Sequence, residues 1–522
     1  MKTKIYLNIL AVGMLAFMGS CASDEPIERG NGTDGGSSSA LTSFSSVSPN
    51  RLVKYTPRTS MGGHDYLAGS RFYWELGDNI YVKDDNNALQ KSSTSNISAT
   101  QPRARFQVPG AYTAQNTYEV YYTGAAAGAT SDKVIISTSQ TQTSPNTAKH
   151  IGGVGDCGTS TATRVGDHFE FMLNHKAAYL CFLPRVTNAE LGKNVFLTKI
   201  VVKSDNAIAG DYTLSMAGLS SAPTANAATE ITLTTQGTTL PNGFPLSNTV
   251  TSVATNAAYM VIAPGTHSLT VDYYIKDPVT GVEGAITKTL PTGKLFEANK
   301  VYDITANLTP TDYSDRKYYM WDAKQNYWYG VSDYPIVNGQ SNSNYARNDA
   351  DPRWFNTINN SAQASFSCQT CPNVNEMIWY CLKGNPHWDS EHVWSRDSHL
   401  YKGGMWFKRK AKIAEENGKN ISDLANAAPD GRDFRNLLEV VTNNSFTLGV
   451  PSITEIENYF YLPALGSSYN GAIASIGVGG LYWSLNTIPH GNRNAYYLVF
   501  SAVTIYVGNE DRYWGFSVGT FE

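Results

Sequence analysis

The residues best placed to do chemistry in this sequence cluster late. Cys368-Gln-Thr-Cys371, Cys381, His387 and His392 together offer the sulfur and nitrogen donors of a tetrahedral zinc site. Their spacing argues against one. Val374, Met377, Ile378, Cys381 and Leu382 recur at the period of an α-helix, with Gly384 placed to end it. At about 1.5 Å per residue, such a helix carries Cys381 about 15 Å from Cys371, too far to share an ion. Cys381 then falls on the apolar face, where a free cysteine behaves as a small hydrophobe. Cys368 and Cys371 are left as a local disulfide or as two inert thiols. Thioredoxin-like redox chemistry would need a βαβ setting that the sequence lacks. His387-Trp-Asp-Ser-Glu391-His392 has the letters of a metalloprotease motif. However, HExxH and HxxEH both fail, the second by one residue, and Pro386 opens a loop in place of a helix. No GxSxG, Walker loop or G-x-G-x-x-G after a strand occurs. The expectation is a chain that is not an enzyme, with no catalytic residue, no metal and no cofactor.

Cys21 is a residue to which chemistry is done. Lys2 and Lys4 precede an apolar run, Ile5 to Met18, that is too short to span a membrane permanently, and Gly19-Ser20-Cys21 follows at once. This is a lipobox: the thiol takes a diacylglyceryl group, residues 1–20 are removed, and Cys21 becomes the first residue. Cys21-Ala-Ser-Asp-Glu is similar to the acidic export tag of lipoproteins on the outer face of the outer membrane in anaerobic Gram-negative bacteria. No second apolar run reaches membrane length, so acyl chains are the expected anchor.

Length and composition frame the elements that must hold these residues. A chain of 522 residues accommodates about three domains. It is low in charge (16%) and rich in Gly, Tyr, Ser, Thr and Asn, as extracellular β-proteins are. The net charge of −4, about −6 without Lys2 and Lys4, gives no surface for nucleic acid. Residues 22 to about 40 have nothing to bury and read as a tether. Leu52, Val53 and Tyr55 suit a strand bounded by Pro49 and Pro57-Arg58, and Phe72 to Val82 suits strand, Gly-Asp turn, strand. Short strands are then expected around Val134–Ile136, Phe169–Leu173, Tyr179–Leu183, Val195–Val202, Tyr259–Ala263 and Leu269–Ile275. Finally Tyr302, Ile304, Ala306 and Leu308 alternate with polar neighbours. Period two with one apolar side means packed sheets, and the strand count fits two sandwiches divided near Lys176 to Pro184.

Three segments carry a resemblance. WELGDNIYV (Trp74 to Val82), FEFMLNHKAAYLCFLP (Phe169 to Pro184) and NKVYDITANL (Asn299 to Leu308) resemble the FimA/Mfa-type fimbrillin family in order and spacing. The resemblance spans roughly residues 41 to 310 and implies a lipoprotein pilus subunit with two transthyretin-like β-sandwich domains. It also implies cleavage after an arginine, which removes a first strand and opens a groove for a strand of another subunit. Arg58 is the preferred site, Arg51 the second and Arg29 the third.

Composition changes after Pro310, beyond which lie nine of the ten tryptophans. Besides the helix at Val374, Ser452-Ile-Thr-Glu455 reads as a capping box opening a second short helix with Ile456, Tyr459 and Phe460 on one side. Strands return at Tyr482–Ser484, Ala495–Ser501 and Tyr513–Val518. That series, Asn373 to Glu391 and Tyr401 to Ala411 resemble a C-type-lectin-like domain. The calcium-binding triplets of such domains are missing; the nearest, Trp483-Ser-Leu-Asn486, departs from the pattern. Trp388, Trp394, Trp406, Tyr482 and Trp483 are the candidates for stacking on a sugar ring or a protein.

The expected fold class is therefore all-β plus α+β, with two transthyretin-like β-sandwich domains followed by a C-type-lectin-like α+β domain. The expected bounds are 1–20 for the signal, 21–58 for tether and removable strand, 59–178 and 179–310 for the sandwiches, and 311–522 for the lectin-like domain. The second sandwich runs through Thr309-Pro310-Thr311 straight into the third domain, and the chain stops four residues after Val518. A subunit that can receive a strand but has none to donate belongs at the tip. The expected function is a minor, adhesive tip subunit of a fimbria on the cell surface, reached by way of an outer-membrane lipoprotein precursor. Its partners are other fimbrial subunits, the lipid anchor before processing, and a glycan or protein receptor. The rival expectation is a non-polymeric surface lipoprotein that binds glycans.

Overall fold

The computed structural model describes residues 41–47, 60–67, 69–358, 363–490 and 493–522. Cys21, Arg29, Arg51, Arg58 and the stretch Leu52 to Tyr55 lie outside the described residues. The first described strand comes earlier than Leu52: β1 runs Leu41–Ser46. A hairpin of β2 (Ser60–Asp65) and β3 (Gly69–Tyr73) follows. Then come β4 (Arg105–Pro109), β5 (Thr117–Tyr122), β6 (Gly158–Val165) and β7 (His168–Phe171).

The first sheet is ordered Leu89–Lys91, Tyr81–Lys83, β5, β6, β7, β1, β4, Thr94–Ser95. β1 is thus an internal strand. Alternation turns Phe44, Val82, Phe106, Val108, Tyr118, Val120 and Phe169 into one core. Trp74 sits in it, its ring centroid 5.0 Å from Phe106 and 5.7 Å from Tyr122.

The second core is built on a three-stranded sheet in which β8 (Ala178–Arg185) lies between β9 (Ala258–Ile262) and β10 (Val301–Asn307). A facing sheet contains Phe196–Ser204 and Leu269–Lys276, and Phe182 meets Tyr273 across the gap at 6.0 Å. Seven consecutive residues of β8, Ala178 to Pro184, are buried, which requires cover on both faces. The β2–β3 hairpin contributes part of that cover, with the ring of Phe72 5.3 Å from Tyr179. Beneath Phe72, Asp156 and His175 form a fully buried pair at 2.6 Å, and Tyr179 donates to the same carboxylate. The boundary at 178/179 divides the sequence more cleanly than the sheets. Lys133–Ile136 pairs with Ala209–Ser215, and Ser139–Thr141 with Glu230–Thr234, so the first half lends two strands to the second core.

Beyond Pro310 the core is aromatic and largely its own, apart from Val393 and Leu400, which pack into the second core. Helix α1 (Val374–Lys383) forms where its period predicts, opened by a capping box of Asn373 and Glu376. Strands β11 (His387–Arg396) and β12 (His399–Lys408) pair with each other, and β12 pairs with Tyr459–Pro463. A second sheet holds Gly479–Thr487, Asn494–Ser501 and Ile505–Asp511. The helix expected after Ser452 does not form. Ile456–Asn458 makes one 3₁₀ turn, Ser452 Oγ bonds the Glu455 side chain at 3.1 Å, and Tyr459 and Phe460 enter the sheet beside β12. Tertiary pairing of these aromatic residues overrides a local helix-start signal. Asp277 ties this region to the second sandwich: its buried carboxylate accepts from the Leu400 N–H at 3.0 Å and pairs with His399 at 2.9 Å.

Candidate functional site

Two features can engage another molecule, and the first is the slot that β1 fills. β1 runs parallel to β7, with Phe44 opposite Phe169 and Ser46 opposite Phe171, and antiparallel to β4 on its other side. Phe44 is fully buried, stacked 4.9 Å from Phe169 and edge-on 5.1 Å from Tyr112. Ser46 is the other residue of β1 buried in the core, and its hydroxyl accepts from Trp74 Nε1 and from the Ala104 N–H, both at 2.8 Å. On the opposite side the hydroxyls of Ser43 and Ser45 are covered and have no partner among the described residues. β1 is thus a weak occupant of a central position. It offers one large apolar side chain and leaves two buried hydroxyls without a partner among the described residues, each a desolvation cost.

The second feature is an aromatic cleft of about 310 Å³ beyond Pro310, lined by Tyr345, Arg347, Trp354, Tyr469, Asn470, Arg493 and Tyr513 among others. A tight hairpin shapes it. Ser467–Tyr469 and Ala472–Ala474 pair around Asn470 (φ +48°) and Gly471 (φ +77°), the left-handed pair of a two-residue turn. A Cβ at Gly471 would stand 2.2 Å from the Asn342 carbonyl oxygen, so glycine lets the hairpin tip press onto the segment bearing Tyr345. Tyr469 is held by stacking on Trp514 at 4.0 Å. The Arg347 guanidinium lies 4.9 Å from the centre of the Tyr345 ring. The lining contains no carboxylate, whereas the neighbouring recess of about 530 Å³ is lined by Asp322, Asp349 and Asp351. Hydrogen bonding to Asp511 pushes the Tyr513 phenol up to about 12, so that hydroxyl stays protonated.

The aromatic residues singled out from the sequence stand elsewhere. Trp394, Tyr482 and Trp483 are fully buried and Trp388 is 6% exposed, so these four are core and do not face a ligand. Their polar atoms are spent internally: Trp394 Nε1 donates to the Gly403 carbonyl, Tyr482 Oη to Pro463 and Trp483 Nε1 to Tyr319. Trp406 is half-buried, its Nε1 donating to Asp389 at 3.1 Å. The aromatic lining of the cleft carried no motif in the sequence; the Asn470-Gly471 turn was its one local signal.

The late cysteines and histidines are not brought together either. Cys368 and Cys371 are buried free thiols, so the local disulfide is not formed. Cys368 Sγ accepts from the Asp322 N–H and Cys371 Sγ from the Gly519 N–H, both at 3.2 Å. Burial pushes the Cys368 thiol well above its usual pKa, and a hydrogen bond with Cys371 adds to the effect. Cys381 lies on the buried side of α1. His387 packs against Tyr459, and His392 against Tyr461 and Trp406.

No model of a known protein family matches the chain, and no curated protein does. Among solved structures, it is similar to a candidate cell adhesion protein from Bacteroides uniformis, at 15% identity and a TM-score of 0.29, over 51% of this chain and 94% of that one. It is similar to the fimbrial anchor protein Mfa2 from Porphyromonas gingivalis at 13% identity and a TM-score of 0.23, over 51% and 89%. A fimbrial protein from Bacteroides ovatus matches over 92% of this chain and 98% of its own, at 9% identity and a TM-score of 0.20. The likeness is distant.

Proposed function

We propose that this chain is a subunit of a surface fimbria that receives a strand from another subunit in the slot filled by β1, and that it acts as an adhesive subunit at the distal end. The observation that carries this reading is the place of β1, an internal strand with two covered hydroxyls that have no partner among the described residues, followed in the sequence by Arg51 and Arg58 ahead of the next described strand. Cleavage after either arginine detaches β1 and opens a slot between β7 and β4. Cleavage after Arg29 leaves β1 in the sheet. A donated strand with more apolar residues gains the ladder bonds on both sides and fills the cavity left by Phe44.

Among the described residues, the strands on either side of Pro310 are already paired. β10 is held by parallel pairing with β8 along its length, and Thr311–Asp312 already pairs with β11. A receiving subunit of this kind sits where the fibre began, with the aromatic cleft outward. N-terminal sequencing of the fimbria-associated form is expected to begin at Thr59 for cleavage after Arg58, and immunogold label on that form at fibre ends. A surface form still beginning at Cys21, or label along the shaft, would overturn the proposal.

The cleft also favours a second reading, a lipid-anchored surface protein that captures glycans without polymerising. That protein would stay lipidated and monomeric after export, which size-exclusion chromatography of detergent-extracted material distinguishes.

A further inference from the structure

We propose that His64, Cys181 and Asp303 are the protein ligands of a site for one thiophilic divalent cation of the zinc type, which fastens the β2–β3 hairpin to the second sandwich. The three residues belong to three different strands, and His64 and Asp303 are 239 positions apart in the chain. In the sheet, Cys181 of β8 stands directly between Tyr259 of β9 and Asp303 of β10 as register partners. Neighbouring register partners show their side chains on one face. His64, from the hairpin, comes down onto that face, its ring edge-on to Tyr259 at 5.9 Å.

The donor atoms of the three residues all lie within 4.8 Å of one another, with His64 Nε2 2.7 Å from Asp303 Oδ1. Ligand atoms around a tetrahedral zinc stand about 3.3–3.8 Å apart, given its bond lengths to nitrogen, oxygen and sulfur. An adjustment of about an ångström in side-chain position therefore converts the cluster into a metal site. The group is sheltered: the side chains of His64 and Asp303 are 1% and 5% exposed, and Cys181 is fully buried.

Outer partners already orient the ligands. The Leu67 N–H, from the hairpin turn, donates to Asp303 Oδ2 at 2.7 Å, leaving Oδ1 for the ion. The Tyr259 hydroxyl, which donates to Asn146 Oδ1 at 3.0 Å and approaches the Cys181 sulfur, can hold a water that completes the set. Charge favours the exchange. Ligation needs Cys181 as the thiolate, so its thiol proton has to leave. Binding replaces that proton with the metal and releases the proton to solvent. A dication with one thiolate, one carboxylate and a neutral imidazole sums to zero, a charge state that burial tolerates.

The purpose lies in the position of the hairpin. Among the described residues β2 and β3 pair only with each other, and an isolated two-stranded hairpin is marginal in water. The hairpin begins at Ser60, so a cut after Arg58 would leave it next to a fresh chain end. The site itself does not depend on that cut; its usefulness to the processed subunit does.

The test uses the full exported chain, stripped with EDTA and dialysed against buffered zinc sulfate. Elemental analysis is expected to find one zinc per chain in the wild type and none in His64→Ala. Loading with cobalt(II) is expected to give a near-ultraviolet thiolate-to-metal absorption that Cys181→Ser abolishes. Asp303→Asn is expected to weaken binding by more than the roughly 10–100-fold that losing an outer partner costs. Far-ultraviolet circular dichroism identifies a variant that fails to fold. If Cys181→Ser is such a variant, His64→Ala together with the wild-type cobalt spectrum decides the matter. Equal zinc in wild type and His64→Ala, or cobalt bound without the thiolate absorption, overturns the site.

Discussion

Phe44→Ala tests the place given to β1 most sharply. The side chain is fully buried between Phe169 and Tyr112, and Ser46 is the only other residue of β1 buried in the core. A buried aromatic ring hides about 150–250 Å². At about 25 cal/mol per Å² that is a transfer term of about 4–6 kcal/mol. Large-to-small changes of this kind in protein cores cost about 3–5 kcal/mol, because the surroundings partly close the cavity. The precursor variant is therefore expected to lose about 3–5 kcal/mol of local stability around β4 and β7. Hydrogen exchange read by mass spectrometry resolves those strands. With a factor of ten for every 1.4 kcal/mol or so, their protection should fall by roughly two to three and a half orders of magnitude. Gly479–Thr487, in the aromatic core beyond Pro310, serves as the internal control and should not change. Once the chain is cut after Arg51 or Arg58, variant and wild type become the same molecule and the difference should vanish. A loss of protection below tenfold in the precursor would refute the energetic role of Phe44. A difference that persists after cutting would refute release of β1.

Three further outcomes follow from the same reasoning. Cys21→Ala is expected to abolish acylation and impair surface delivery; metabolic labelling with an alkyne fatty acid reads this out, and unchanged label would refute it. Asp277→Asn removes one charged partner of His399 and Leu400 and is expected to cost about 1.5–3 kcal/mol where the second sandwich meets β12, measured as faster exchange of the Leu400 amide. Burial pushes the Asp277 carboxyl up, but hydrogen bonds from His399 and from the Leu400 and Val279 N–H groups outweigh it and hold it below the usual range. A depressed carboxylate stabilises fully above its unfolded value of about 3.9, and that stabilisation is lost as pH falls through the lower folded value. The wild type should thus show an acid step in this exchange below about pH 4 that the asparagine variant lacks. Tyr469→Ala in the cleft is expected to weaken glycan binding by at least about fivefold, the loss of roughly 1 kcal/mol of ring contact; unchanged affinity on a glycan array would exclude the cleft as the receptor site.

The elements that the sequence alone determined are those whose signal is local. Helix α1 could be read because Val374, Met377, Ile378 and Cys381 share one face, although its own capping box, Asn373 with Glu376, was not read from the sequence. The alternation of Ile304 and Ala306 with Asp303 and Thr305 marked β10 in the same way. The absence of a helix at Ile456, by contrast, was settled by β12, which offered Tyr459 and Phe460 a ladder and a core that no local pattern displays. Aromatic residue type likewise cannot say which way a ring points. Trp394 and Trp483 are large, apolar and able to spend their N–H groups on internal carbonyls, so packing took them inward, while a Gly471 turn and the Trp514 stack left Tyr469 at the surface. Sites assembled from distant segments were invisible for a related reason. The slot of β1 exists because Phe169 and Phe106 flank Phe44, and the cluster of His64, Cys181 and Asp303 exists because strand register sets Cys181 beside Asp303 under the hairpin. Periodicity records how each segment meets its own solvent boundary; only tertiary pairing decides which segments share one.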